Sequence, residues 1–240
     1  MLRLLFVFGV VLIGIVGPGV LGPAQAASTR PTVAVLYFDY AGDDAELKVL
    51  SKGLASMLIT DLSANEGFDV VERDRLQDII AELELSRSDL VDPAKAVKVG
   101  RLVGAQRMVI GRYFEFVGQL RFDVHMVDVE TAVNVCGIGA LGKRVDFFDI
   151  EADLADQLAV ALLSDGVSCK EPRPGSPPVV PAKQGRKLEA LPVSTAAKYG
   201  QALEAVDAGE KEDAKKLLDE VVAEEPRFVL AQEELAKLLK

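Results

Sequence analysis

The sequence predicts an α/β (α+β) fold: a mixed sheet with an antiparallel meander and packed helices, followed by a small all-α module at the C-terminus. Three observations predict it. An apolar, β-prone run over residues 32–38 leads into leucines spaced by three and four positions, the pattern of a buried strand followed by an amphipathic helix. Between residues 106 and 145 the apolar period drops to two, the mark of half-buried strands. Beyond a stretch that holds six of the eleven prolines, helical spacing returns with charged outer faces.

Residues 1–26 read as a signal peptide. Met1 and Arg3 form a short positive start, residues 4–16 are apolar but for Gly9 and Gly14, and Ala24-Gln25-Ala26 offers a small-x-small cleavage pattern before Ala27. The rival reading is a retained anchor, since residues 4–22 carry no charge and approach the ~20 residues that span a bilayer. Pro18, Gly19, Gly22 and Pro23 weaken that helix, and no cysteine follows the run to accept a lipid. The expectation is an exported chain, periplasmic or outer-membrane-associated, with no integral span after signal cleavage.

A first domain is expected over residues 31–168. Asp43 or Asp44 caps its first helix, with Leu47, Leu50, Leu54, Leu58 and Leu62 as the buried stripe and Gly67 as the stop. A strand over 68–72 precedes a second helix with Leu76, Ile79, Ile80 and Leu83 on one face, and Asp92-Pro93 starts a third that ends before Gly104. Strands follow at 106–117, 120–129 and 132–145, turning at Gly118-Gln119 and at Glu130-Thr131. Leu120, Phe122, Val124 and Met126 point one way, and Arg121, Asp123 and His125 the other. Asp149 caps a closing helix that buries Ile150, Leu154, Leu158 and Leu162. Residues 169–193 form a proline-rich, extended linker, and residues 194–240 a module of three short helices.

The formal net charge of −10 argues against nucleic acid as a partner, because phosphate neutralisation needs clustered Lys and Arg. The chain has a single histidine, His125, on the polar side of a strand, and no local spacing sets a nucleophile beside it. One histidine and two separated cysteines lack zinc-ligand spacing, and Gly137-Ile138-Gly139 lies on a strand rather than at a strand-to-helix turn. No catalytic residue, cofactor or metal is therefore assigned, and the chain is read as a non-enzyme. Cys136 and Cys169 are a candidate disulfide pair in an exported chain, with two ordinary buried thiols as the equal alternative.

Two resemblances can be named from residues. The segments 33–38, 53–58, 68–73 and 104–111 occur in the order of the CsgG, FlgO and TolB N-terminal domain group, with Glu72-Arg73 leading into Leu76. That resemblance implies an α/β domain used for assembly at the outer membrane, for secretion, or as a regulator of a cell-wall enzyme. CsgG-like channel subunits carry an acylated cysteine and extra hairpins that close into a barrel, and neither is visible in this sequence. Residues 195–228 resemble one tetratricopeptide repeat through Ala202, Gly209, Ala214, Leu218 and Pro226, with Lys198 in place of the early tryptophan. A single repeat cannot bury its apolar face alone. Tyr199, Leu203, Val206, Leu217 and Leu218 are therefore the candidate contacts to an envelope protein or to a second copy, and docking on the first domain is the competing explanation.

Overall fold

The computed structural model describes residues 30–164 and 192–239; the expected signal peptide, Cys169 and nearly all of the expected linker lie outside them. One sheet is ordered β3-β1-β4-β5-β6, and β2 also pairs with β4. β1 (Thr32–Val35) lies parallel to both β3 (Asp69–Val70) and β4 (Arg107–Phe116). Strands in that position are covered on both faces, which is why residues 33–38 can be almost wholly apolar and buried.

The expected strand over 32–38 is interrupted. Pairing stops at Val35 and resumes at β2 (Asp39–Tyr40), against Arg112 and Tyr113 of β4. The cause is tertiary: the Phe38 ring lies against the bare Cα of Gly111, and the Phe38 carbonyl accepts a hydrogen bond from Ser51 Oγ instead of a strand neighbour.

α1 (Ala45–Ser63) starts at Asp44, whose carboxylate accepts from the Glu46 and Leu47 amides at 2.9 and 3.2 Å. It buries the expected leucines, and also Ser51, Gly53, Ser56 and Met57. A helix with one packed stripe would leave some of those in water, so α1 is covered on a second side. It ends at Ser63 rather than at Gly67, whose amide donates to Asn65 Oδ1. α2 (Arg73–Glu82) and α3 (Pro93–Val103) follow, the second capped by Asp92 and closed by Gly104 at φ 73°.

β4, β5 (Gln119–Asp128) and β6 (Asn134–Lys143) form the expected antiparallel meander. The first turn is Val117-Gly118, both at positive φ, and Gln119 already pairs with Phe116. Met108 and Tyr113 have opposite parity on β4; Met108 meets Gly100 of α3, and the Tyr113 hydroxyl donates to the Leu47 carbonyl of α1. The two helices therefore cover opposite faces of the sheet. α4 (Phe147–Leu163) begins earlier than expected, after a single 3-10 turn over Arg144–Asp146, which leaves Asp149 inside its first turn rather than at its cap. It packs on β6 and α1.

α5 (Val193–Asp207), α6 (Lys211–Glu224) and α7 (Val229–Leu238) complete the fold. α5 lies along α1, so the second covered side of α1 belongs to the C-terminal helices. One apolar core joins both parts. A chain of ring contacts runs through it from Tyr40 by way of Tyr113, Phe122, Phe147, Phe148 and Phe228 to Tyr199, with centroids 5.0 to 6.5 Å apart. Among the described residues no helix is long and apolar enough to cross a membrane.

Candidate interaction sites

The α1–α5 crossing is built on two glycines. A side-chain carbon on Gly200 would stand 2.0 Å from the Val49 carbonyl oxygen, and one on Gly53 3.0 Å from that of Ala196. The helices thus meet backbone to backbone, which only glycine allows. Beside the crossing, Ser56 Oγ and the Tyr199 hydroxyl share a hydrogen bond of 3.0 Å.

Asp207, in the last turn of α5, accepts from Lys52 Nζ at 2.5 Å and from Arg73 Nη1 at 2.8 Å. Asp207 and Arg73 side chains are each only 7% exposed, so this is an ion pair withdrawn from water. Arg73 Nη2 donates to Asp74 at 2.7 Å, Lys237 of α7 stands 3.5 Å from the same carboxylate, and Arg87 pairs with Glu204. The Tyr37 hydroxyl donates to Gln77 at 2.9 Å. Burial pushes the Lys52 ammonium below its ordinary range against the pull of Asp207, and burial pushes the Tyr37 hydroxyl up. A groove of about 340 Å³ lined by Arg73, Asp74, Gln77, Asp207, Glu234 and Lys237 opens beside the cluster.

Tyr199 and Leu203 on α5 and Leu218 on α6 are fully buried in the shared core, and Val206 and Leu217 are half-buried. Within this chain α1 and the neighbouring C-terminal helices cover Tyr199, Leu203 and Leu218 fully and Val206 and Leu217 in part, the arrangement of the competing explanation, docking on the first domain. The residues that make the seam were not foreseen. Gly53, Gly200 and Ala196 carried a readable signal, small residues at helical spacing, whereas Lys52, Arg73 and Asp207 carried none, since each belongs to a different element.

Of the other sequence candidates, Cys136 is buried on β6 and disulfide-bonded, while Cys169 lies outside the described residues. His125 is half-buried, and its Nδ1 accepts from Asn134 Nδ2 at 2.8 Å.

The second surface is the α3-side face of the meander. α3 packs on the start of β4 and the end of β5, and the remainder of that face carries Arg112, Phe114 and Phe116 from β4 and Arg121, Asp123 and His125 from β5. Register sets Phe114 opposite Arg121 and Arg112 opposite Asp123. Gly137 lies beside His125, and a groove of about 430 Å³ lined by Ile110, Arg112, Arg121, Asp123, His125 and Gly137 runs under Val91. Phe116 is 70% exposed and Val117, at the turn, 84%.

Residues 21–122 match the family described as the curli production assembly/transport component CsgG. The match spans less than half of the 240 residues and places them as similar to that envelope group, with β6, α4 and the C-terminal helices beyond it. No curated protein matches the chain. Among solved structures, the LpoB C-terminal domain from Salmonella enterica is 20% identical, with a TM-score of 0.39 over 50% of this chain and 87% of that one. Lipoprotein GNA1162 from Neisseria meningitidis is 14% identical, with a TM-score of 0.40 over 47% and 79%. The PelC dodecamer from Paraburkholderia phytofirmans is 14% identical, with a TM-score of 0.35 over 59% and 90%.

Proposed function

We propose that this chain is a non-enzymatic, exported component of the cell envelope that acts through protein interaction or assembly. The observation that carries the reading is the CsgG-type match over residues 21–122. Two features support it. Polar side chains withdrawn from water, among them Arg73, Asp207 and Ser51, hold elements of the fold together, and the disulfide at Cys136 suits an oxidising compartment. In this reading the pair is Cys136 with Cys169, and closing that loop adds ~3–4 kcal/mol by restricting the unfolded chain.

In the same reading α5 and α6 are a tetratricopeptide-like pair whose apolar face is met inside the molecule, by α1. The C-terminal module then stiffens the first domain, and recruitment falls to other surfaces.

Mass spectrometry of the envelope fraction tests export. A chain beginning at Ala27, two mass units lighter before reduction than after it, is expected. An unprocessed chain starting at Met1 would replace a released protein with an anchored one. Stable conductance from the processed protein in planar bilayers would replace the interaction reading with that of a channel subunit.

A further inference from the structure

We infer that the face of the meander that no other described residues cover is the partner-binding surface, and that its occupant is a protein segment bringing a carboxylate beside an apolar side chain. The inference rests on the interaction reading above and names the surface and the chemistry.

The carboxylate follows from Arg112. Its side chain is 51% exposed, its nearest carboxylate, Asp39, stands at 3.7 Å, and that is beyond hydrogen-bond reach. Arg121, by contrast, aims Nε and Nη2 at one oxygen of Asp123, both at 2.9 Å. Among the described residues the Arg112 fork thus makes a loose ion pair with Asp39 and no hydrogen bond, and it presents the planar geometry that grips a carboxylate with two hydrogen bonds.

The apolar side chain follows from the residues around the fork. Phe114 and Phe116 lie on the same face, and Phe116 stands largely in water at the rim. Gly137 leaves the neighbouring strand without a side chain where the groove crosses it, which lets an incoming backbone lie close to the sheet.

A second, independent observation sits at the tip. Val117 occupies the left-handed region at φ 52°, an outlier for a β-branched residue. Two-residue hairpins of this kind prefer Asn-Gly, which adopts the turn without strain. The turn itself requires the positive φ, and valine there both strains the backbone and exposes apolar surface, where asparagine would do neither. Strain of this sort gathers at contact sites.

The occupant is a protein segment rather than a bilayer, because a net charge of −10 opposes approach to an anionic surface. A second copy meeting the same face across a twofold would set Arg112 near Arg112.

The test places photoreactive benzoylphenylalanine at position 116 of the full chain, in the cells that produce it, with position 102 on α3 as control; Leu102 is 50% exposed. An adduct is expected from 116 and not from 102, mapping to a foreign segment that holds an Asp, a Glu or a chain-terminal carboxylate within a few residues of the apolar crosslinked one. Arg112→Glu lowers the yield about tenfold or more, the loss of a charge-assisted contact. Arg112→Lys retains part of it and melts like the parent. Arg112→Glu, set opposite Asp123 and beside Asp39, melts lower. Arg112→Gln, which adds no like charge and melts close to the parent, is therefore made as well and also lowers the yield.

An adduct to lipid, to a second copy or to a segment without carboxylates overturns the inference, as does a yield indifferent to Arg112→Glu or no adduct at all. Lysine-reactive crosslinking of the unaltered chain reads the broader proposal separately. Heterocomplexes there without the 116 adduct defeat this surface alone, and none in either experiment defeats both.

Discussion

At the α1–α5 crossing two helix backbones touch through Gly53 and Gly200, and the charges beside them, Lys52, Arg73 and Asp207, are consumed by one another. On the open meander the reverse holds: Phe116 and Val117 stand in water, and Arg112 donates no hydrogen bond among the described residues. The first region has the features of a closed interior and the second those of an unfinished contact. Close packing with paired charges raises stability only when every partner is present. Exposed apolar groups in a strained turn lower stability and persist when something outside the chain needs them.

The largest expected effect comes from breaking the closed side. Asp207→Ala strips Arg73 and Lys52 of their shared counter-ion while leaving both withdrawn from water, and removing one partner of such a pair costs ~3–5 kcal/mol. Urea unfolding measures it, and replacing both Lys52 and Arg73 by Met together with Asp207 by Leu recovers most of the loss. A loss under ~1 kcal/mol would mean that the cluster is wet and the seam is held by apolar contacts alone.

Gly200→Ala comes next and has a diagnostic sign. In a free helix the change gains about 1 kcal/mol. Here the new methyl meets a carbonyl oxygen at 2.0 Å, so the helices must separate, and a net loss of about 2 kcal/mol is expected. Gly53→Ala, facing 3.0 Å, loses less. Stabilisation by Gly200→Ala would show that α5 does not sit on α1 in solution.

The same contrast explains what could be read from the sequence. The leucine stripe of α1, the Asp92-Pro93 start and Gly104 stop of α3, and the two-residue alternation of β5 depend on neighbours along the chain, so their patterns were legible. The break between β1 and β2 was not, because it depends on Gly111 making room for Phe38 from a strand more than seventy positions away. Nor was the fate of Tyr199, Leu203 and Leu218: helical spacing says that a stripe must be covered, and the distant glycine Gly53 decides by what. The open face was half legible. Arg121, Asp123 and His125 were expected on a wet side, but their grouping with Arg112, Phe114 and Phe116 is a product of register.

On the open side the expected effects are smaller and partly opposite in sign. Val117→Asn relieves the left-handed valine and gains about 1 kcal/mol, seen as a higher melting temperature. If the open face is a contact, the same variant lowers the yield of the position-116 adduct. A variant that gains stability and keeps the full yield would uncouple the strain from binding.

The smallest effect is expected where the two regions join, at Arg144. It follows β6 directly and donates to Glu115 of β4 at 2.9 and 2.5 Å, to the α1 cap Asp44 at 2.6 Å and to Glu46 at 3.2 Å. The side chains are a quarter to two-fifths exposed, so screening holds the contribution to about 1 kcal/mol or less. Hydrogen bonds from Arg144 hold both the Asp44 and Glu115 carboxyls below their ordinary values of 3.8 and 4.5. Carboxyls depressed by folding add stability that is complete above those ordinary values and is lost as pH falls through the lower, folded ones. Arg144→Met removes the cause, so the melting gap between parent and variant should be steady from pH 7 to about pH 5 and should close below about pH 4.5. Molar salt should narrow the gap at pH 7. A gap that persisted unchanged at pH 3 would mean that Arg144 acts through the packing of its stem rather than through its charge, and the junction would then belong with the closed seam rather than with the open face.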